Sequence, residues 1–155
     1  MKNDFDRRLE ELYIDLPEPP TDRGSVTGTA SSGKLLYVSG AIPYASGRVH
    51  YTGRAGVELT LDTAKLAARS AAVLAISQAW HALGGSLRKV KRVLRMDGYI
   101  ASSVDFKDHA KVLDGASDLL GDIFGPGGKH ARSAVGVASL PQNACVSLSI
   151  VFELK

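Results

Sequence analysis

His130–Lys155, which reads HARSAVGVASLPQNACVSLSIVFELK, decides the fold of this 155-residue chain. Two strand-like runs, Ser133–Ala138 and Val146–Phe152, flank a turn at Pro141–Asn143. Apolar side chains alternate with smaller or polar ones along the second run. Because successive side chains of a strand point to opposite faces, this period of two predicts a strand with two different faces.

Arg132 stands just before the first of these runs, after a Gly-Pro-Gly-Gly loop. An arginine in that place can hold a planar carboxylate through two parallel hydrogen bonds, which a lysine does poorly. From these residues alone, a solvated or salt-bridged Arg132 is the favoured interpretation, and a ligand-binding Arg132 is the alternative.

The composition indicates one globular domain with a core of its own. The net charge is +3, and the basic cluster at residues 88–95 is interpreted as the solvated start of a strand, so nucleic acid is not favoured as a partner. Cys145 is the single cysteine, which excludes an intrachain disulfide and fits a reducing compartment. The charged N-terminus lacks an apolar signal core and no run is long enough to span a bilayer, so we expect a soluble, cytoplasmic protein without membrane contact.

The remaining chain alternates between strand and helix patterns. Two alanine-rich or apolar stripes recur at helical spacing, and glycine pairs or proline end each of them. The predicted elements are a short helix at Phe5–Tyr13, a hairpin from Gly24–Ala30 and Lys34–Ser39, a helix from the N-cap Thr60 to Leu83, a strand at Val90–Ile100 and a helix at about Asp105–Phe124. Gly98 interrupts the long strand and predicts a bulge there.

This order predicts an α+β fold with two layers, a mixed sheet and two helices on one face. We expect residues 1–23 to form an N-terminal helix and a Pro-rich arm, and residues 24–155 to form a single domain. Two helices cover only one face of the sheet, and the strands carry apolar residues on the other. The sequence therefore predicts self-association through the uncovered face.

Several kinds of catalytic motif are absent from the sequence. It contains no G-x-G-x-x-G or P-loop for phosphates and no G-x-S-x-G nucleophile elbow. Its four histidines share no metal-ligand spacing. We therefore expect neither a metal site nor a cofactor, and these patterns alone specify no reaction.

Two sequence motifs resemble those of a known family and extend these predictions. The pattern R-S-x-V-x-V-A-x-L-P at residues 132–141, with the apolar terminal strand after it, resembles the C-terminal signature of the RidA/YjgF family, also labelled L-PSP endoribonucleases. L-L-Y-V-S-G-x-I-P at residues 35–43 is similar to the family's Ser-Gly-Gln-x-Pro strand end, with Ala41 in place of the glutamine. The resemblance covers about Gly24–Phe152. The Pro-rich arm and residues 128–136 resemble a longer branch of the family.

The resemblance implies a chorismate-mutase-like fold and a homotrimer with clefts between neighbouring subunits. Active members hydrolyse reactive enamine or imine intermediates to 2-oxo acids and ammonia. By this likeness, Arg132 would hold the carboxylate of a small carboxylate or imino acid ligand. The Ser39-Gly40 turn would face that ligand, and Ala134 stands where the family often has a cysteine.

The chain departs from the family at the residue that assists proton transfer. Ser147 occupies the position of a glutamate on the last strand, and a serine binds water but is a poor base near neutral pH. Two hypotheses remain open: a deaminase with Arg132 and Ser147 as catalytic residues, or a non-catalytic protein that binds small carboxylates. Ribonuclease activity is not favoured, because no paired acid and base is evident in the sequence.

Overall fold

The computed structural model describes residues 4–155, whose main feature is a five-stranded sheet. Its strands are β1 (Thr29–Ser32), β2 (Leu35–Ala41), β5 (Val90–Ala101), β6 (Ala131–Val137) and β7 (Val146–Leu154), and a separate small hairpin joins β3 (Tyr44–Ala45) to β4 (Arg48–Val49). The strand order in the large sheet is β1-β2-β7-β5-β6. β5 runs parallel to β6, and the other neighbours are antiparallel, so the sheet is mixed as predicted.

Two long helices cover one face of this sheet, which confirms the predicted two-layer arrangement. α2 (Leu61–Ala82) lies against β2 and β7, and α3 (His109–Phe124) lies against β5 and β6. The two helices also pack on each other. The first helix, α1 (Phe5–Glu11), packs at the end of α3, and two short 3₁₀ turns occupy Gly125–Gly128 and Pro141–Asn143.

The alanine stripe of α2 explains how closely this helix approaches the sheet. The Thr60 hydroxyl accepts a hydrogen bond from the Thr63 amide at 3.2 Å and caps the helix, as the sequence predicts. Alanines at 64, 67, 68, 71, 72, 75 and 79 are fully buried. Because these side chains are small, the axis of α2 can lie close to the strands.

The two C-terminal strands do not pair with each other. β5 lies between them and pairs with both, so the turn at Pro141–Asn143 connects strands that are two places apart. Gly98 lies in an unbroken part of the β5 register, and the Leu113 side chain occupies the space that a Cβ would take. The bulge predicted at Gly98 is therefore wrong, and the glycine is a packing position.

The second face of the sheet is uncovered within the described chain. Tyr37, Tyr99 and Val135 point to it and are 46%, 40% and 46% exposed. Ser147 pairs with Tyr99, and Tyr99 pairs with Val135, so these three lie in one row across β7, β5 and β6. We call this surface the open face.

The helix α1 belongs to the same core as the sheet. Phe5 and Leu9 are buried, and the Phe5 ring meets the Phe124 ring edge-on at 4.8 Å between centroids. The Asp6 carboxylate accepts hydrogen bonds from the Leu87 amide at 2.8 Å and from the Ser86 hydroxyl. Apolar packing and a hydrogen-bonded carboxylate therefore hold the N-terminal helix against the domain. Between residues 4 and 155, no helix combines the length and the apolar character needed to cross a membrane.

Candidate functional site

Arg132 lies near the start of β6, and its side chain extends toward α3. Its Nη1 donates to the Asp114 carboxylate at 2.8 Å and to the Ser117 hydroxyl at 3.1 Å. Its Nη2 donates to the carbonyl oxygen of Ala110 at 3.2 Å. These three partners share one side of α3, because positions four and three residues apart lie on the same helical face. Within one chain Arg132 is therefore salt-bridged, in agreement with the interpretation that its local sequence favours.

The guanidinium nevertheless keeps hydrogen-bonding capacity. It has five N–H donors, and three hydrogen bonds link it to other groups in residues 4–155. The Arg132 side chain is 23% exposed and lines an open cleft of about 760 Å³ between α3 and the start of β6. Two N–H donors of Arg132 thus have no partner in the described residues, and the carboxylates of Asp118 and Asp122 line the same cleft.

His130 shares this cleft with Arg132 through a common serine. Its Nδ1 lies 2.6 Å from the carbonyl oxygen of Gly128, and its Nε2 lies 3.0 Å from the Ser117 hydroxyl. A carbonyl can only accept, so Nδ1 carries a proton, and Nε2 of the neutral ring accepts from Ser117. Ser117 can accept from Arg132 at the same time. The result is a hydrogen-bonded chain from Arg132 through Ser117 to His130.

The sequence reasoning did not assign a role to Asp114, Ser117 or His130. One signal was present, because His130 and Arg132 are two residues apart and alternation places them on the same side of an extended chain. The spacing of Asp114 and Ser117 likewise places both on one helical face. The strand that this face of α3 contacts depends on the strand order of the sheet, and no local sequence pattern specifies the strand order.

The Ser39-Gly40 turn is a bulge in β2. The register with β7 shifts between Val38 and Ala41, and Gly40 has a φ of +68°. Such a backbone conformation favours glycine, which has no Cβ. The Ser39 amide donates to the carbonyl oxygen of Gly28 at 3.1 Å. The turn is therefore fixed by the backbone of the preceding segment, with both of its residues exposed.

Ser147 and Ala134 lie on opposite faces of the sheet. Ser147 is on the open face beside Tyr99, whereas Ala134 packs against the core on the helix side. Arg132, two residues from Ala134, also points to the helix side. The predicted catalytic pair, Arg132 and Ser147, is therefore not brought together within one chain.

The Ser39-Gly40 turn is also remote from Arg132 in one chain. β2 and β6 are separated by β7 and β5, which makes three spacings between strands, or about 14 Å. The predicted site residues thus form two groups: Arg132 and Ala134 on β6, and Ser39, Gly40 and Ser147 on β2 and β7. Within one chain, a small ligand therefore does not contact both groups.

Cys145 has the chemistry of a core residue. It is fully buried, and burial raises the pKa of its thiol to about 11. The thiol therefore stays protonated near neutral pH, and a protonated thiol is a poor nucleophile. Within the part of the chain that the structure describes, no three His, Cys, Asp or Glu side chains are grouped as metal ligands would be.

Comparisons with known proteins identify the family. The sequence model of the family described as "YjgF/chorismate_mutase-like, putative endoribonuclease" matches residues 6–154. Protein TCP17 of Trypanosoma cruzi is 39% identical over 147 residues, which cover 94% of this chain and 91% of TCP17.

Solved structures share the fold at two levels of similarity. Atu1372 of Agrobacterium tumefaciens, a protein of unknown function, is 38% identical with a TM-score of 0.90 and covers 99% of this chain and 96% of its own. TdcF of E. coli, solved with bound serine, is 19% identical with a TM-score of 0.62 and covers 92% of this chain and 98% of its own. The TdcF likeness concerns the fold alone. With a family match over nearly the whole length and a mixed sheet backed by two helices, this chain belongs to the RidA/YjgF family, whose fold is chorismate mutase-like.

Proposed function

We propose that the protein hydrolyses reactive enamine or imine intermediates to 2-oxo acids and ammonia. The observation that carries this proposal is the position of Arg132, which lines a cleft at the sheet edge and keeps unused N–H donors. A guanidinium is suited to a planar carboxylate, which every 2-imino acid carries. The serine bound to TdcF, also a small molecule with a carboxylate, is consistent with such a ligand.

The reacting cleft lies between subunits in this proposal. Arg132 and Ala134 of one copy would face Ser39, Gly40 and Ser147 of the next, because one chain cannot place both groups around a small ligand. The open face, with its exposed Tyr37, Tyr99 and Val135, would be the surface through which three copies associate. A homotrimer of this kind completes the site.

Water addition to the imine carbon needs a group that orients the water. Ser147 can donate to water and accept from it, but its hydroxyl does not remove a proton readily at neutral pH. We therefore assign Ser147 of the neighbouring subunit a water-orienting role. Reactive imines also hydrolyse in water without a protein, so binding and orientation supply the acceleration.

A second candidate is binding of small carboxylates without turnover. Serine in place of glutamate at position 147 favours it, because a hydroxyl can hydrogen-bond to a ligand or a water but is a poor base near neutral pH. This candidate predicts affinity for 2-oxo acids and no acceleration of imine hydrolysis.

The deciding experiment measures release of 2-oxo acid from an enamine generated in situ by a dehydratase acting on serine. We expect acceleration over buffer by the wild-type protein and its loss in Arg132→Ala, with Lys129→Ala as the matched control from the same cleft. Binding of pyruvate without acceleration would replace the first proposal by the second. If pyruvate also fails to bind, both proposals are wrong.

A further inference from the structure

A second arginine, Arg23, lies at the Ser39-Gly40 turn. Its Nη1 is 3.9 Å from the position that a Cβ on Gly40 would take. Its Nε donates to the carbonyl oxygen of Pro20 at 3.2 Å, which fixes the guanidinium above the turn. The side chain is partly buried, and it reaches the turn from the segment that links the Pro-rich arm to β1.

Unlike Arg132, this guanidinium pairs with no carboxylate of the described chain. Within residues 4–155, no ion pair involves Arg23. Its Nη2 is enclosed and has no hydrogen-bond partner in that part of the chain. Buried polar groups are ordinarily paired, and a charged donor loses most when it is not. Nη1, the atom that approaches the Ser39-Gly40 turn, likewise makes no hydrogen bond within residues 4–155 and is not enclosed, so it is the N–H group that a ligand at this turn can reach.

Gln78 on α2 lies beside Arg23 and is also incompletely hydrogen-bonded. Its side chain is 4% exposed, and its Oε1 also lacks a partner in the described chain. Its Nε2 makes only long hydrogen bonds, 3.5 Å to the Gly28 carbonyl oxygen and 3.4 Å to that of Ser39. Arg23 and Gln78 line the same small cavity of about 160 Å³, together with Thr29 and His81.

Gly28 keeps these two side chains in place. A Cβ on Gly28 would lie 2.6 Å from the Gln78 Nε2 and 2.9 Å from the Arg23 Cζ, closer than carbon atoms approach such groups. Any other residue would displace the guanidinium or the amide. The local sequence thus leaves room for Arg23 to lie over the backbone that supports the Ser39-Gly40 turn.

We infer that the ligand of this protein carries two carboxylates, and that Arg23 binds the second. The inference rests on the proposed function, in which Arg132 of one subunit and the Ser39-Gly40 turn of the next face one ligand. Arg23 accompanies that turn, so the completed cleft contains two guanidinium groups from different chains. Two cations in one cleft favour a dicarboxylic 2-oxo or 2-imino acid over a monocarboxylic one.

The experiment compares two probes, 2-oxoglutarate and 2-oxobutanoate, by calorimetry on the full-length protein at one ionic strength. We expect the wild-type protein to bind 2-oxoglutarate about tenfold more tightly, since one added charge-assisted hydrogen-bonded pair has about that effect. Arg23→Gln should abolish this preference, because it should weaken the binding of 2-oxoglutarate much more than that of 2-oxobutanoate. Arg23→Lys, which keeps the charge, should retain part of the preference.

Arg48→Gln is the matched control, because Arg48 is exposed on β4 and takes no part in the ion pairs of the described residues. Melting temperatures of all variants report whether they remain folded. Equal affinity of the wild-type protein for both probes, or a preference that persists in Arg23→Gln, overturns the dicarboxylate inference alone. Failure of both probes to bind the wild-type protein overturns the proposed function as well.

Discussion

The Arg132 Nη1 and the Asp114 Oδ1 are 2.8 Å apart, so the guanidinium expected to hold a ligand is already paired inside its own chain. The Asp114 side chain is 47% exposed, and solvent therefore weakens this ion pair. A ligand carboxylate would approach a cation whose charge is partly compensated. Asp114 therefore competes with the ligand for Arg132, and its charge should influence the affinity of the protein for a carboxylate.

Replacing Asp114 by asparagine should strengthen the binding of a small carboxylate. The introduced amide would keep a hydrogen bond to Arg132 and remove the negative charge that repels the ligand. We expect the Kd for pyruvate to fall about two- to fivefold, in line with the strength of partly exposed ion pairs. Asp118→Asn is the control, because it is a change of the same kind at a residue that lines the Arg132 cleft and forms no ion pair with Arg132. Weaker pyruvate binding in Asp114→Asn would show that Asp114 serves to orient Arg132.

The anchoring of α1 predicts a large loss of stability on removal of one ring. Phe5 is 5% exposed and packs edge-on against Phe124. Phe5→Ala should reduce the free energy of unfolding by about 3–5 kcal/mol, as is typical for truncation of a buried aromatic residue. Urea denaturation measures this change. Tyr13→Ala, at a position 93% exposed, should change it by less than about 0.5 kcal/mol.

A small effect of Phe5→Ala would mean that the substitution only detaches α1 of the variant and leaves the rest of the domain folded. The urea m-value distinguishes this case, because a detached helix would leave less surface to expose on unfolding. We expect the m-value of Phe5→Ala to equal that of the wild-type protein.

Local sequence patterns predicted the individual helices and strands better than they predicted which of these elements lie next to each other. The capping threonine at 60 and the alanine stripe after it specify α2, and the alternation from Val146 to Phe152 specifies which side of β7 is buried. By contrast, α3 begins at His109 and not at Asp105. Asp108, its N-cap residue, makes no side-chain hydrogen bond, so the local sequence carries only a weak start signal.

Only part of the candidate site was predicted, because local motifs do not specify contacts between distant segments. The motif around Arg132 and the Ser39-Gly40 turn can be read from short stretches of sequence. The ion pair with Asp114 and the approach of Arg23 to Gly40 join residues from distant parts of the chain. Such contacts follow from the strand order and from helix placement, which depend on packing over the whole domain.

The raised pKa of the buried Cys145 thiol predicts a loss of stability in alkali. Burial raises that pKa to about 11, whereas a thiol exposed by unfolding ionises near 9. The unfolded state therefore releases its proton first, and stability that is complete below pH 9 is lost as the pH rises toward 11. Ionisation of the Cys145 thiol should lower the free energy of unfolding by at most about 2–3 kcal/mol.

Other groups also titrate in that range, so the measurement is a difference between two proteins. Urea unfolding of the wild-type protein and of Cys145→Ala, each from about pH 7 to about pH 10.5, isolates the thiol. The stability of Cys145→Ala should depend less steeply on pH above 9. Parallel curves for the two proteins would show that water reaches the thiol in the folded state.

The open face predicts which substitutions dissociate the proposed homotrimer. Tyr99 lies in the middle of this face, 40% exposed, with Val135 and Ser147 as cross-strand neighbours. A charge buried there by association would be unpaired, and burying an unpaired charge is costly. We expect Tyr99→Glu to convert the trimer to monomers, as measured by sedimentation equilibrium. Val104→Glu, at a loop position 98% exposed, should remain trimeric. In the proposed function the site is completed between copies, so the Tyr99→Glu monomer should also lose 2-oxo acid binding, and a monomer that binds normally would place the whole site within one chain.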